Sequence, residues 1–334
     1  MTEPEQPEEA PRLTREDLER AILKESPRYT ASQVAGGDET ALEESRRLWR
    51  ALGFPEYAGE EVAFTRGDAG ALATLRAAID SGVIDFDTAL NLTRAVGQTM
   101  SRLADWEVAT LVPKLDQAEA GPDGTGSRLG AAIRLVEQVN EPFEALLVYA
   151  WRRHLAAAVA RVEALGPDDD ELKTTEVTVG FADIVQFTAL SNEIGEERIG
   201  DLVEVFESRC SDVVAAHRGR IIKSLGDSVL FIADDAVRAY DIAAGIIAVI
   251  GRDPRMPDVR VGLASGPVVM RLGDVFGPPV NMAARLTAVA RRNRVIIDEH
   301  TAELLPSDEF EIRRLPARPV RGFGLVEPIA VRRQ

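Results

Sequence analysis

The chain of 334 residues has few of the side chains that build several common kinds of site. It has one cysteine, Cys210, which excludes an intrachain disulfide and a cysteine-based metal cluster. Histidine is also scarce, with three in the chain. No apolar run approaches the roughly 18 residues of a membrane helix, and the N-terminus is acidic where a signal peptide is basic. We therefore expect a soluble, cytoplasmic protein without a transmembrane segment.

An excess of positive charge is lacking as well. The chain has 39 lysine and arginine residues against 55 aspartate and glutamate residues, a net charge of −16. A protein this acidic is not built to bind nucleic acid or an anionic membrane through bulk charge, and a polyphosphate ligand would need local cations. The 45% hydrophobic and 28% charged residues are usual for a globular protein, and the length suits two domains.

The pattern along the chain predicts four segments. Residues 1–12 are rich in proline and glutamate, which predicts a disordered tail. Residues 13–165 show the helical period, which predicts an all-α domain whose last long helix begins at Pro142. Residues 166–173 contain Gly-Pro-Asp-Asp-Asp and predict a linker. Residues 174–334 form the second predicted domain, in which strands and helices alternate.

The second domain begins with predicted elements in the order β-α-β-β-α-β. This order is typical of a ferredoxin-like sandwich, an antiparallel sheet with helices packed on one face. The turn Gly226-Asp227 joins two of the strands into a hairpin. The expected fold is therefore α+β, an all-α domain followed by a ferredoxin-like one. The predicted strands are 174–182, 220–225, 228–233 and 259–265, and the predicted helices are 198–217 and 236–251.

Two aspartates in this domain are predicted to converge. Asp183 follows the opening strand, and Asp227 lies at the tip of the hairpin. The first strand of a ferredoxin-like sheet lies beside that hairpin, so both carboxylates can reach one point. Two converging acids without a nearby histidine or cysteine suit a hard cation, Mg²⁺ or Mn²⁺. Either aspartate alone would equally fit a helix cap or an ordinary turn residue.

Three further polar side chains stand out. Lys223 precedes Asp227 by four residues, and it is one of only four lysines against 35 arginines, which indicates that arginine would not serve there. Asn281 and Arg285 are spaced i, i+4 and so share one face of a predicted helix that begins after Gly277. An amide beside a guanidinium can clamp sugar and phosphate oxygens, although a capping asparagine and a surface arginine would look the same.

Taken together, these residues resemble the class III nucleotidyl cyclases over about residues 176–333. The resemblance implies that two Mg²⁺ or Mn²⁺ ions bind Asp183 and Asp227 and that the substrate is ATP. It also implies that Lys223 and Asp274 bind the adenine edge, while Asn281 and Arg285 stabilise the transition state. The Gly-Pro-Pro turn of the third segment differs from the commoner forms of that loop. Three segments carry the resemblance, Phe181-Ala182-Asp183-Ile184, Lys223-Ser224-Leu225-Gly226-Asp227 and Asp274 through Arg285.

The resemblance also implies an organisation. Active sites of this family form between two catalytic domains, so a chain with all six residues is expected to be a homodimer. The layout is similar to that of soluble two-domain bacterial cyclases whose helical N-terminal domain regulates the catalytic one. A small effector or pH acting on that domain is a further hypothesis, with His154 as the candidate pH sensor.

Two alternatives to an ATP-cyclising enzyme stay open. A guanylyl cyclase would use the same chemistry, but Lys223 and Asp274 favour adenine. A DNA-binding or nucleotide-sensing protein is a hypothesis of another class, because residues 29–55 faintly resemble a helix-turn-helix of the winged-helix type. The net negative charge and the complete set of six residues argue against it.

Overall fold

The computed structural model describes residues 13–36, 39–58, 60–121, 127–164, 174–271 and 273–334. These residues group into two compact units that divide after Ala164. The predicted tail over 1–12 and the predicted linker over 166–173 lie outside the described residues, so these boundaries stay predictions.

The N-terminal unit is helical, as predicted. Three of its helices begin after a capping threonine, Thr14, Thr30 or Thr65. The threonine side chain accepts a hydrogen bond from the backbone amide three residues later, and the side chain of that later residue accepts one from the threonine backbone amide. Such reciprocal caps satisfy the amides that a helix start leaves unpaired. The helices are α1 Arg15–Leu23, α2 Ala31–Ala35, α3 Glu39–Ala51, α4 Arg66–Asp80, α5 Phe86–Ala120 and α6 Arg128–Ala164.

The last helix of this unit differs from the prediction. The expected helix start at Pro142 is wrong, because α6 runs through Pro142 without a break. Proline removes one helical hydrogen bond and crowds the carbonyl four residues earlier. The neighbouring residues of α6 include many alanines and leucines, which favour the helix and offset that loss at one position.

The C-terminal unit is built on a seven-strand path in the order β2-β3-β1-β4-β6-β10-β7. Strand β1 is antiparallel to both β3 and β4, and the six elements β1, α8, β2, β3, α9 and β4 form the predicted ferredoxin-like unit. The elements are β1 Thr175–Ile184, α7 Phe187–Glu193, α8 Glu196–Ala216, β2 Arg220–Ser224, β3 Ser228–Ala233, α9 Ala236–Gly251, β4 Val259–Arg271, β5 Asp274–Phe276, α10 Pro278–Val289, β6 Val295–Ile297, α11 Glu299–Leu304, β7 Phe310–Arg314, β8 Arg318–Val320, β9 Gly324–Val326 and β10 Ile329–Arg333.

Helices cover both faces of this sheet. Helices α8 and α9 pack on one face, where Phe206 and Ile246 join a core with Phe231 of β3. Helix α10 follows the ferredoxin-like unit and packs on the other face, where Leu286 contacts the cluster that contains Val179 of β1. The helix that carries Asn281 and Arg285 is thereby fixed to the strand that carries Asp183.

Candidate active site

The two predicted acidic residues lie at neighbouring strand ends. Asp183 is the last residue but one of β1 and is opposite Ser228 of β3. The β2–β3 hairpin turns at Gly226, which has a φ of 76° that favours glycine, and places Asp227 just before β3. The Ile184 amide donates to the Asp227 carbonyl at 2.9 Å. The topology therefore brings the two residues together, as the sequence predicted.

The Asp183 carboxylate has a strong electrostatic environment. Its Oδ2 accepts from Nε of Arg260 at 2.8 Å and pairs with Nη2 at 2.7 Å. Burial raises the pKa of Asp183, Arg260 opposes that shift, and the nearby Asp227 charge adds to it, so the pKa lies above its ordinary value. Burial and repulsion from Asp227 thus disfavour the charged form of Asp183, and Arg260 stabilises it.

Arg260 contacts the candidate site but is absent from the residues that the sequence predicts. It lies directly opposite Asp183 in the β1–β4 register, and its Nη1 donates to the carbonyl of Ala288 on α10 at 3.0 Å. The sequence does show a charged residue inside the otherwise apolar strand segment Val259–Leu263, which indicates a polar partner. That it faces Asp183 follows only from the register between two strands far apart in sequence.

The residues present fit a hard divalent cation. Mg²⁺ is commonly bound through one or two carboxylates, with water and substrate phosphate oxygens completing its shell. Asp183 and Asp227 supply two carboxylates, and a cation between them would offset the burial and the repulsion from Asp227 that together raise the pKa of Asp183. In the part of the chain that the structure describes, no group of three or more histidine, cysteine or acidic side chains forms a larger metal cluster.

The predicted base-reading residues are in direct contact. Lys223 of β2 donates from Nζ to Oδ2 of Asp274, the first residue of β5, at 2.6 Å. Oδ1 of Asp274 accepts from the Val275 amide at 2.8 Å. Burial acts to raise the pKa of Asp274, but the bonds from Lys223 and Val275 prevail and lower it. The pair therefore presents a fixed cationic donor beside a fixed anionic acceptor.

Helix α10 presents Asn281 and Arg285 to solvent. Its opposite face is buried and lies so close to β4 that a Cβ at Gly262 would overlap the Thr287 backbone and lie 2.5 Å from the Ala283 carbonyl oxygen. Both Asn281 and Arg285 are exposed, and neither makes a side-chain hydrogen bond or ion pair to another described residue. Within one chain, Lys223 and Asp274 are in contact, and Asp183 and Asp227 lie at neighbouring strand ends. The structure leaves the side chains of Asn281 and Arg285 available.

Comparison with known proteins identifies the family of the C-terminal unit. Residues 170–330 match the family model of the adenylate and guanylate cyclase catalytic domain. The chain is 38% identical over 338 residues to an adenylate cyclase of Streptomyces coelicolor, which covers 93% of this chain and 87% of the relative. This chain belongs to the adenylate and guanylate cyclase family. The class III resemblance of the sequence is thereby confirmed, and the cyclase domain accounts for the C-terminal unit.

Further relatives extend the similarity to the helical unit. An adenylate cyclase of Streptomyces griseus is 36% identical over 351 residues, with 93% of this chain and 87% of the relative covered. Among solved structures, the catalytic core of a rhodopsin-guanylyl cyclase with converted specificity, in complex with ATPαS, aligns with a TM-score of 0.46 and 24% identity over 48% of this chain and 98% of that chain. Within the described residues of this cyclase, no helix is long and apolar enough to cross a membrane.

Proposed function

We propose that this cyclase is an adenylyl cyclase that converts ATP to 3′,5′-cyclic AMP and pyrophosphate. In this reaction the ribose 3′ oxygen loses its proton and bonds to the α-phosphorus, while the bond from that phosphorus to the bridging oxygen breaks and pyrophosphate leaves. The observation that carries the choice of ATP is the contact between Lys223 and Asp274 at 2.6 Å. The relatives named adenylate cyclase support the same choice.

The Lys223–Asp274 pair matches the edge of adenine. Adenine has an acceptor at N1 and a donor at its N6 amine, so Lys223 would donate to N1 and Asp274 would accept from N6. Guanine has a donor at N1 and an acceptor at O6, which would place donor against donor and acceptor against acceptor. A site built around such bonds rejects the wrong base because its polar groups are left unpaired.

Asp183 and Asp227 would hold two Mg²⁺ or Mn²⁺ ions together with the triphosphate. When bound, these ions would acidify the ribose 3′ hydroxyl and neutralise charge on the phosphates. The chain's own contribution is to hold two carboxylates at one strand edge, with Arg260 fixing one oxygen of Asp183. Without a cation, that guanidinium provides the counter-charge for Asp183.

The active site would be shared between the two chains of a homodimer. Asn281 and Arg285 are exposed on α10 and have no side-chain partner among the described residues of their own chain. In the proposed dimer they face the Asp183 and Asp227 carboxylates of the second chain. Arg285 would then donate to the α-phosphate oxygens, where negative charge develops and a preorganised donor contributes most. Each dimer would have two equivalent sites.

The helical unit would regulate the catalytic unit. Helix α6 ends at Ala164 and β1 begins at Thr175, so ten residues of sequence connect the two units. A displacement of about 1 Å between reacting groups can lower a rate ~100-fold, so a small change in the helices could control a shared site. A small effector or pH is the proposed signal, and the exposed His154 on α6 is the candidate for pH.

The direct test is the product formed by the purified full chain. With Mn²⁺ or Mg²⁺, we expect cyclic AMP and pyrophosphate from ATP and much less product from GTP. Asp183→Asn and Asp227→Asn should each abolish turnover, whereas Asp234→Asn, a matched control whose side chain is 74% exposed, should not. Preference for GTP would make the protein a guanylyl cyclase, and nucleotide binding without either product would make it a sensor.

A further inference from the structure

Two long helices of the helical unit leave large apolar side chains exposed. Of the 23 large apolar side chains that are exposed among the described residues, eleven lie on α5 and α6. Several of them recur at intervals of four or eight residues, so they form one ridge along each helix. The α5 ridge consists of Leu92, Val96, Met100 and Val108, which are 43–62% exposed. The α6 ridge consists of Trp151, Leu155 and Val159, which are 46–62% exposed. Apolar side chains concentrated in this way indicate an interaction surface.

The last turns of α6 have no packed face in their own chain. From Trp151 to Arg161 every residue is exposed except Ala158, which is half-buried. A helical segment of this length is marginal in water, and helices in proteins gain most of their stability by packing an apolar side. The α6 ridge therefore needs a partner from outside its own helical unit.

The two ridges carry enough apolar surface for a stable interface. An aliphatic side chain has roughly 100 Å² of apolar surface and a tryptophan up to about 250 Å², so these half-exposed side chains present roughly 450 Å² in one chain. A standard protein interface buries about 800 Å² per partner, of which about 57% is apolar. The exposed area therefore fits one protein–protein interface, whereas a small ligand would cover only part of it.

The charges beside the ridges favour a second copy of this chain as the partner. Arg152 and Arg153 directly follow the first residue of the α6 ridge, and Asp105 and Glu107 lie within three residues of the last residue of the α5 ridge. In the part of the chain that the structure describes, none of these four side chains forms an ion pair. Two copies can pair the acidic group of each chain with the basic group of the other. Packing α6 against the α6 of a second copy would instead bring the two arginine pairs close together.

From these features we infer that the helical unit has its own dimer surface, in which the α5 ridge of one chain packs against the α6 ridge of a second copy. Twofold symmetry then forms the same contact twice. Ridges of residues four apart fit into each other's grooves in the commonest class of helix packing. The surface uses none of the residues assigned to nucleotide or metal, so the inference does not rest on the proposed reaction.

The first test is the dimer dissociation constant of the full chain, measured by analytical ultracentrifugation. Val159→Asp should raise this constant ~100-fold or more, because each of the two symmetric contacts would enclose an unpaired charge. The matched control is Val83→Asp, because Val83 is 77% exposed and lies between α4 and α5, outside both ridges. The control should leave the dissociation constant unchanged.

The second test exchanges the charges between two variants. One variant carries Arg152→Glu with Arg153→Glu, and the other carries Asp105→Arg with Glu107→Arg. Each variant alone places like charges at both contacts, so its dimer should dissociate ~10-fold or more readily. A mixed dimer again joins opposite charges at both contacts, so the mixture should associate about as tightly as wild type. Mixing would not rescue a contact between α5 and α6 of the same chain.

Three outcomes would overturn the inference. They are a monomeric wild-type chain, equal dissociation constants for Val159→Asp and Val83→Asp, and a mixture of charge variants that associates no more tightly than either variant alone. Circular dichroism and thermal unfolding establish that each variant is folded before its dissociation constant is compared. A variant that fails to fold is replaced by Leu155→Ser, which should weaken the dimer in the same direction. Because no readout is cyclase activity, a failure of the proposed reaction leaves these results unchanged.

Discussion

Replacing Lys223 with methionine separates the contribution of the Lys223–Asp274 pair to stability from its proposed selection of the base. The side chains are 38% and 30% exposed, and ion pairs in such positions contribute about 0–1 kcal/mol. Methionine keeps the unbranched length of lysine without its charge. We therefore expect the free energy of unfolding at pH 7 to fall by less than about 1 kcal/mol.

The same substitution should affect catalysis far more. A hydrogen bond from a charged donor contributes about 1.5–3 kcal/mol, so loss of the bond from Lys223 to adenine N1 should lower kcat/KM for ATP ~10- to 150-fold. Turnover of GTP should not fall, because Lys223 opposes the guanine N1–H. Competition assays that quantify cyclic AMP and cyclic GMP would measure the ratio. The control is Lys24→Met, which removes an exposed ion pair with Glu144 from the helical unit.

The stability effect also has a defined pH dependence. The folded-state pKa of Asp274 is lowered, so its stabilising contribution is present above the ordinary value of about 3.9 and is lost as pH falls through the lowered pKa. The gap in unfolding free energy between wild type and Lys223→Met should therefore close as pH falls below about 4. Urea denaturation at several pH values measures it. An unchanged ratio of kcat/KM for ATP to kcat/KM for GTP would refute the reasoning, and so would a loss of unfolding free energy above ~3 kcal/mol.

Three further predictions concern α10 and the helical unit. Gly262→Ala should lower the free energy of unfolding, measured by urea denaturation, by about 1–3 kcal/mol, because the added Cβ overlaps α10. The control Gly251→Ala has open space around it and should not lower it. Equal stabilities would contradict the close approach of α10 to Gly262. Arg285→Ala should lower kcat ~10²- to 10³-fold with little change in fold, and the exposed neighbour Arg291→Ala should leave kcat near normal; equal kcat values would remove Arg285 from the reaction. The fragment 170–334 should remain a cyclase with activity changed several-fold, and identical specific activity and pH profile over pH 5.5 to 8 would leave the helical unit without a regulatory role.

The sequence predicted those parts of the site that depend on local pattern and on topology. Asp183 and Asp227 could be placed together because a βαββαβ order fixes which strand lies beside the hairpin. Asn281 and Arg285 could be placed on one exposed face because helical spacing is local. The role of Arg260 could not be predicted, since it depends on the register of β1 against β4.

The helical unit was less accessible to sequence reasoning. Its helical nature follows from the period, but the helix start predicted at Pro142 is wrong, because proline favours the first turn of a helix without requiring it. The small gap that Ser45, Trp49 and Phe64 line could not be predicted at all, because a cavity results from the way several helices pack against each other. No local pattern in α3 distinguishes a serine that lines a pocket from one that faces solvent.

The measurement that tests the central claim most directly is cyclic AMP formation from ATP by a mixture of two inactive chains, Asp183→Ala and Asn281→Ala. A mixed dimer contains one chain of each variant. One of its two sites then has intact metal-binding and transition-state residues, and the other site has both substitutions. With full exchange between equal amounts of the two chains, half of the dimers are mixed. Each mixed dimer has one intact site out of two, so activity should return to about a quarter of wild type. If wild type makes cyclic AMP and chain exchange is demonstrated, yet the mixture stays inactive, the shared active site is contradicted.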